Sequence, residues 1–161
     1  MQPLSPQHVK DALAQFDFAV NYLTFDESTA TSELAAEAIG CTVAQIAKSI
    51  CFMINKDYPL LVVTSGVNMV DDKKISALEG VGRKKVKIAK PEECIEIFGY
   101  APGGVPPVGH RTDGIKIYLD SDLQQFDKVY AACGTANENF GITPPNLALA
   151  TNGTWQDVKK D

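Results

Sequence analysis

The apolar positions of this 161-residue chain change their spacing several times between the two ends. Ser5-Pro6 suits a helix N-cap and first turn, and Val9, Leu13 and Phe16 then recur at helical intervals. Ala19 to Phe25 reads as a short strand. Ser32 to Ile39 predicts a second helix, which Gly40 stops. Thr42-Val43-Ala44-Gln45 has the form of a capping box and predicts a third helix. That helix must be short, because Ser49 to Ile54 already reads as a strand. Leu60 to Thr64 is the next strand and Asp71 to Leu78 the next helix. Lys84 to Ala89 alternates polar and apolar side chains, the period of a half-buried strand. Lys90-Pro91-Glu92-Glu93 opens a helix running to Phe98. Ile115 to Leu119 and Lys128 to Ala132 predict two further strands. Thr143-Pro144-Pro145 introduces a last helical segment at Asn146 to Ala150, and Trp155 packs the tail.

Strands and helices are mixed without regular βαβ alternation, internal repeat, low-complexity tract or linker. The expectation is one domain over residues 1–161, of mixed α+β class, with a mixed, largely antiparallel sheet. Composition fits: 45% of residues are hydrophobic and 22% charged, as in ordinary globular proteins. The apolar run Tyr58 to Val63 falls far short of the roughly 20 residues of a membrane helix. The N-terminus lacks a basic-then-apolar signal pattern, so the cytoplasm is the expected location.

The cysteines stand at 41, 51, 94 and 133 without C-x-x-C spacing, and the histidines are His8 and His110 alone. Reduced core thiols are expected, with neither metal nor cofactor. A net charge of −5 argues against bulk nucleic-acid binding. Yet Lys73, Lys74, Arg83, Lys84, Lys85, Lys87 and Lys90 fall within twenty residues that hold only three acids, Asp71, Asp72 and Glu79. Such a patch can guide one polyanion, and it can equally be a solvated face.

Two places draw attention as chemistry. Lys48 lies among apolar neighbours from Ile46 to Ile54. An ammonium there either snorkels to water or faces an anion. The loop Ala101-Pro102-Gly103-Gly104-Val105-Pro106-Pro107-Val108-Gly109-His110-Arg111 alternates permissive and stiff residues, which gives it a definite shape. Its glycine and valine amides can hold an ester oxygen or oxyanion, or the loop can be a rigid connector. His110 reads either as a base or hydrogen-bonding contact or as a surface histidine. No G-x-S-x-G elbow, P-loop or dinucleotide fingerprint is present.

The order Ile46-Ala47-Lys48-Ser49, Leu60-Leu61-Val62-Val63, Pro91-Glu92-Glu93 and Gly99-Tyr100-Ala101-Pro102-Gly103-Gly104-Val105-Pro106-Pro107-Val108-Gly109 resembles the YbaK/ProX family. These are aminoacyl-tRNA deacylases related to the editing domain of bacterial prolyl-tRNA synthetases. The likeness runs from about residue 20 to 158; Gly103-x-x-x-Pro107 matches the family's GxxxP loop and Lys48 its signature lysine.

The resemblance implies a barrel-like sheet surrounded by helices. It also implies trans-editing, in which the ester of a mischarged aminoacyl-tRNA is hydrolysed, with a small amino acid on proline tRNA as the expected substrate. Lys48, Gly103 and Gly104 would bind and stabilise the reacting ester. Tyr22, Ser49, Ser65, Val105, Pro107, Gly109, His110, Cys133 and Gly134 would form the substrate pocket. Lys73, Lys74, Arg83, Lys84 and Lys85 would guide the tRNA acceptor end. Tyr130-Ala131-Ala132-Cys133-Gly134-Thr135 lacks the histidine of alanine-specific members. A complex with prolyl-tRNA synthetase, a homodimer, a non-catalytic binding module and a hydrolase of another acylated nucleotide all stay open at this point.

Overall fold

In the computed structural model, which describes all 161 residues, two sheets carry the fold. Helix α1 spans Pro6–Ala14 and buries Val9 and Leu13. Phe16 lies beyond its end and stacks on Phe18, with ring centroids 5.4 Å apart. Strand β1 is Asn21–Thr24, and α2 (Ser32–Ile39) is capped by Thr31 and closed by Gly40 at φ +85°. The capping box at Thr42 is present, but it yields a single 3-10 turn, Val43–Gln45. Strand β2 (Ala47–Ile54) therefore begins two residues earlier than its apolar run predicts, and Lys48 sits on it.

Strands β3 (Tyr58–Ser65) and β4 (Val86–Ile88) flank β2, both antiparallel to it, with α3 (Asp72–Glu79) between them in sequence. Arg83–Lys85 forms a 3-10 turn, so the lysines ahead of β4 lie outside the sheet. Helix α4 (Pro91–Glu93) widens into a π-turn over Cys94–Phe98, where the Gly99 N–H donates to the Cys94 carbonyl at 2.8 Å. Gly99, at φ +102°, then turns the chain out of it.

Strand β5 (Lys116–Asp120) runs parallel to β3, and β8 (Thr154–Gln156) runs parallel to β5. The five-stranded order is β4-β2-β3-β5-β8. Strands β6 (Val129–Ala132) and β7 (Glu138–Ile142) join β1 in a second, antiparallel sheet of order β1-β7-β6. Helix α5 (Pro144–Thr151) leads from β7 towards β8.

Four of the six ladders are antiparallel, as the mixed, largely antiparallel expectation requires. The barrel-like expectation needs correction. The sheets meet through one isolated parallel bridge, Ile46 to Tyr130, and do not close.

Two strands escape the sequence pattern. In β7 (Glu-Asn-Phe-Gly-Ile), Asn139 and Gly141 break the apolar run for packing reasons. Asn139 is buried and accepts a 2.7 Å hydrogen bond from Thr29, and a Cβ on Gly141 would lie 2.9 Å from the Tyr130 ring. Strand β8 is only three residues long and holds Trp155 between polar neighbours.

The larger sheet is covered on both faces. On β2 and β3, Ala47, Cys51, Leu61 and Val63 enter a 21-residue core that reaches the small sheet, α1 and α5. Phe52, Ile54, Leu60 and Val62 point the other way, into a core with Ile75 of α3 and Val158. This explains the unbroken Leu-Leu-Val-Val run of β3.

Glu79 locks α3 to the sheet. Its side chain is 1% exposed; it accepts hydrogen bonds from Tyr118 and from Tyr58 (2.7 Å), and pairs with Lys116 at 3.0 Å. Burial pushes its carboxyl up, but the bonds from Tyr118, Tyr58 and Lys116 outweigh burial and hold it below the ordinary glutamate value. A group with a depressed folded pKa stabilises above its unfolded pKa and loses that contribution as pH falls through the folded value. Glu79→Gln is expected to cost roughly 2–3 kcal/mol at pH 7. The gap to the wild type, read from urea melts, narrows only below about pH 4.3.

Candidate functional site

A cavity of about 310 Å³ opens where the first half of β2, the N-terminus of α2 and the Pro102–Val105 loop converge. Lys48 lies at its mouth. The side chain is exposed and forms no ion pair with any acid of the chain. Next to it, the Ser49 hydroxyl is the one buried side-chain oxygen or nitrogen in the protein without a hydrogen-bond partner. A buried hydroxyl left unpaired costs about 1–3 kcal/mol, and this one belongs to a residue that lines the cavity.

The loop presents backbone donors. The N–H groups of Gly103 and Val105 donate to nothing within the chain. Gly104 differs: its N–H closes a turn on Ala101 at 3.1 Å, and its carbonyl accepts from Gly134 at 3.0 Å. A Cβ on Gly104 would sit 2.9 Å from the Thr135 backbone, so this glycine lets the loop lie against the strand end. Gly103, at φ +91°, rests against Ala30 at the start of α2. Thr31 and Ser32 line the cavity too, and bring the free amides and positive end of that helix to it.

The remaining wall is small and apolar, from Ala35, Ala47, Ile50, Ala89 and Ala132, with Cys51 and Cys94 side by side. The Cys94 thiol, and then burial, push the Cys51 thiol up and keep it protonated. It is therefore no nucleophile at neutral pH. The cavity as a whole offers hydrogen-bond donors and one positive charge to an electron-rich ligand with a small side chain.

Among the residues expected in the site, Lys48, Ser49, Gly103 and Val105 come together. The others lie elsewhere. Ser65 is buried, with its hydroxyl donating to the Ala44 carbonyl at 2.7 Å. Cys133 is buried behind the loop, its thiol pushed up to about 11 by burial. Gly134 there faces Pro6 and the Tyr100 ring. Tyr22 is 40% exposed outside the cavity, where Lys10 stands over its ring.

Pro107, Gly109 and His110 line a separate, broad depression beside α1. His110 braces the loop from within, its Nε2 2.8 Å from the Pro106 carbonyl and its ring edge-on to Phe98. Burial holds this imidazole below its ordinary pKa, against the opposing pull of the Pro106 carbonyl.

In the basic stretch, Lys74 is tied to Asp157 (2.9 Å) and Asp161 (3.0 Å), and Arg83 to Asp72 (2.9 Å). Lys73, Lys84 and Lys85 are exposed and free of ion pairs, as are Lys87 and Lys90, which flank the cavity residues Ile88 and Ala89. Sequence reasoning missed the α2 side of the site. The Thr31-Ser32-Glu33 helix start was a readable signal for a positive helix end.

Two substitutions separate site from scaffold. Ser49→Ala removes an unpaired hydroxyl and is expected to stabilise the ligand-free protein by about 1 kcal/mol in urea melts. Gly104→Ala forces its new methyl onto the Thr135 backbone and is expected to destabilise by about 1–3 kcal/mol in the same measurement.

The aminoacyl-tRNA editing domain family matches residues 26–149. YwhH of Bacillus subtilis strain 168 is 35% identical over 98% of this chain and 99% of its own length. EbsC of Enterococcus faecalis, named as a candidate Cys-tRNA(Pro)/Cys-tRNA(Cys) deacylase, is 25% identical over 89% of this chain and 83% of its own. A crystal structure described as a candidate trans-editing enzyme for prolyl-tRNA synthetase superposes over 100% of both chains, with TM-score 0.89 and 37% identity. With a cavity of unused donors on that shared fold, and a match covering most of its length, the chain belongs to the aminoacyl-tRNA editing domain family.

Proposed function

We propose that this protein hydrolyses, in trans, the ester of a mischarged aminoacyl-tRNA, removing a small amino acid from proline tRNA. One observation carries the reading: Lys48, Ser49, Gly103 and Val105 line a single cavity, and the Lys48 ammonium, the Ser49 hydroxyl and the Gly103 and Val105 N–H groups have no partner within the chain.

The ester carbonyl oxygen accepts from the loop amides. These donors are fixed in place and strengthen as the oxygen becomes anionic. Water attacks the carbonyl carbon, the C–O bond to the terminal ribose breaks, and the ribose hydroxyl leaves with a proton. Lys48 supplies the positive charge for the developing oxyanion or the neighbouring phosphate. An aminoacyl ester is already reactive, so holding it and the water in register supplies much of the acceleration. No side-chain nucleophile is required.

The small apolar wall around Ala35, Ala47 and Ala132 favours a short side chain. A pocket of this kind separates side chains one methylene apart by only about 1–3 kcal/mol, so overlapping substrates are expected. The naming of EbsC as a candidate Cys-tRNA(Pro) deacylase fits that size. In this reading the exposed Lys73, Lys84 and Lys85, free of ion pairs, guide the tRNA acceptor end, whereas Lys74 is paired with the tail and Arg83 with α3.

The test is deacylation of proline tRNA charged with cysteine, alanine, serine or threonine, by wild type and Lys48→Ala. One or two of these esters should be lost rapidly, and Lys48→Ala should slow that loss about 100-fold or more. A folded wild type that leaves every ester at its spontaneous rate would overturn the reading and favour a non-catalytic binding module.

A further inference from the structure

A second cavity, of about 330 Å³, lies on the other side of Lys48. It shares Lys48, Ile50 and Ile88 with the first, so the two meet along the outer half of β2 and β4. Its floor is Phe52, Val70 and Val86, with Lys160 at the rim.

Two large apolar side chains stand open to solvent there, Met69 at 69% and Ile88 at 71% exposure. Neither belongs to a mobile end. Ile88 is in β4, paired with Phe52, and the Met69 carbonyl accepts from the Lys160 N–H at 2.8 Å, beside a Val70 to Lys159 bridge. The backbone at both positions is thus tied down, while the two side chains stand largely open to solvent.

We infer that this second cavity receives the 3′-terminal nucleotide of the substrate, with its base seated on Met69 and Ile88. The inference rests on the editing reading above and extends it. An aminoacyl ester joins a small side chain to a nucleoside through one carbonyl. If that carbonyl lies by Lys48, the amino acid fills the first cavity and the nucleoside fills the adjoining one. The chemistry matches: an apolar, polarisable slot suits the face of a base. Lys48 and Lys160 complement the linking phosphate; the one acid in the lining, Asp72, is already paired with Arg83. Asn68 completes the slot. Its Nδ2 is bound to Asp120 (2.8 Å) and Asp122 (2.9 Å), which leaves its Oδ1 as an acceptor for an exocyclic amine.

The experiment uses protein labelled at the methionine methyls, of which there are three: Met1, Met53 and Met69. Adenosine 5′-monophosphate is the probe and ribose 5-phosphate the control. The Met69 methyl resonance, assigned with Met69→Leu, should shift saturably with the nucleotide and stay in place with the sugar phosphate. Met69→Glu should weaken nucleotide binding at least about tenfold, as loss of one base contact implies. A Met69 methyl unmoved at about 10 mM nucleotide, or moved equally by ribose 5-phosphate, overturns the inference. The two proposals fail separately. Deacylation that depends on Lys48 with a silent Met69 sinks only the nucleotide cavity. A Met69 response without deacylation sinks the editing reading and leaves a nucleotide-binding slot.

Discussion

The Asp120 carboxylate holds the end of the sheet on which the site is built. It is 1% exposed, and one of its oxygens accepts from the Thr64 hydroxyl, the Ser65 N–H and the Asn68 amide, at 2.8 to 3.0 Å. The other accepts from the Asp122 N–H. An ion in the interior is tolerable only when its lone pairs are met in this way. The result joins the C-terminal ends of β3 and β5 to the turn that follows β3. Thr64 is the cross-strand partner of Lys48, and Asn68 and Met69 belong to that turn. The position of the lysine, the edge of the second cavity and the path of the tail all follow from one buried negative charge. Lys159 extends the same knot through Asp122 at 2.7 Å.

Most of the scaffold was legible because its signals are local. Capping residues announce α1, α2 and α5, glycines at positive φ end α2 and α3, and the doubly covered sheet leaves a continuous apolar run in β3. What escaped was set by tertiary contact. Asn139 and Gly141 make β7 look like a loop until Thr29 and the Tyr130 ring are seen against them. The barrel stays open because a single isolated bridge joins the two sheets, which no residue pattern records.

The site divides along the same line. Lys48 stood out because a charge inside an apolar run is a local contradiction. The GxxxP loop stood out by composition. Which amides remain free does not follow from composition: Gly103 and Gly104 are adjacent and chemically identical, yet one lines the cavity with its N–H unbonded and the other closes a turn. Ser65 and Cys133 likewise share residue types with good pocket formers but are turned inward. The α2 contribution was missed because its helix start was read as structure alone.

The division of labour inside the first cavity has an evolutionary consequence. The donors that would hold the reacting carbonyl are main-chain amides, which substitution at most positions leaves intact. The dimensions of the wall come from side chains on other elements: Ala35 on α2, Ala132 on β6, Ile88 on β4. Mutation can therefore enlarge or narrow the space without touching the chemistry. On the editing reading, a lineage built on this fold can exchange one amino-acid preference for another in single steps while its main-chain donors stay in place.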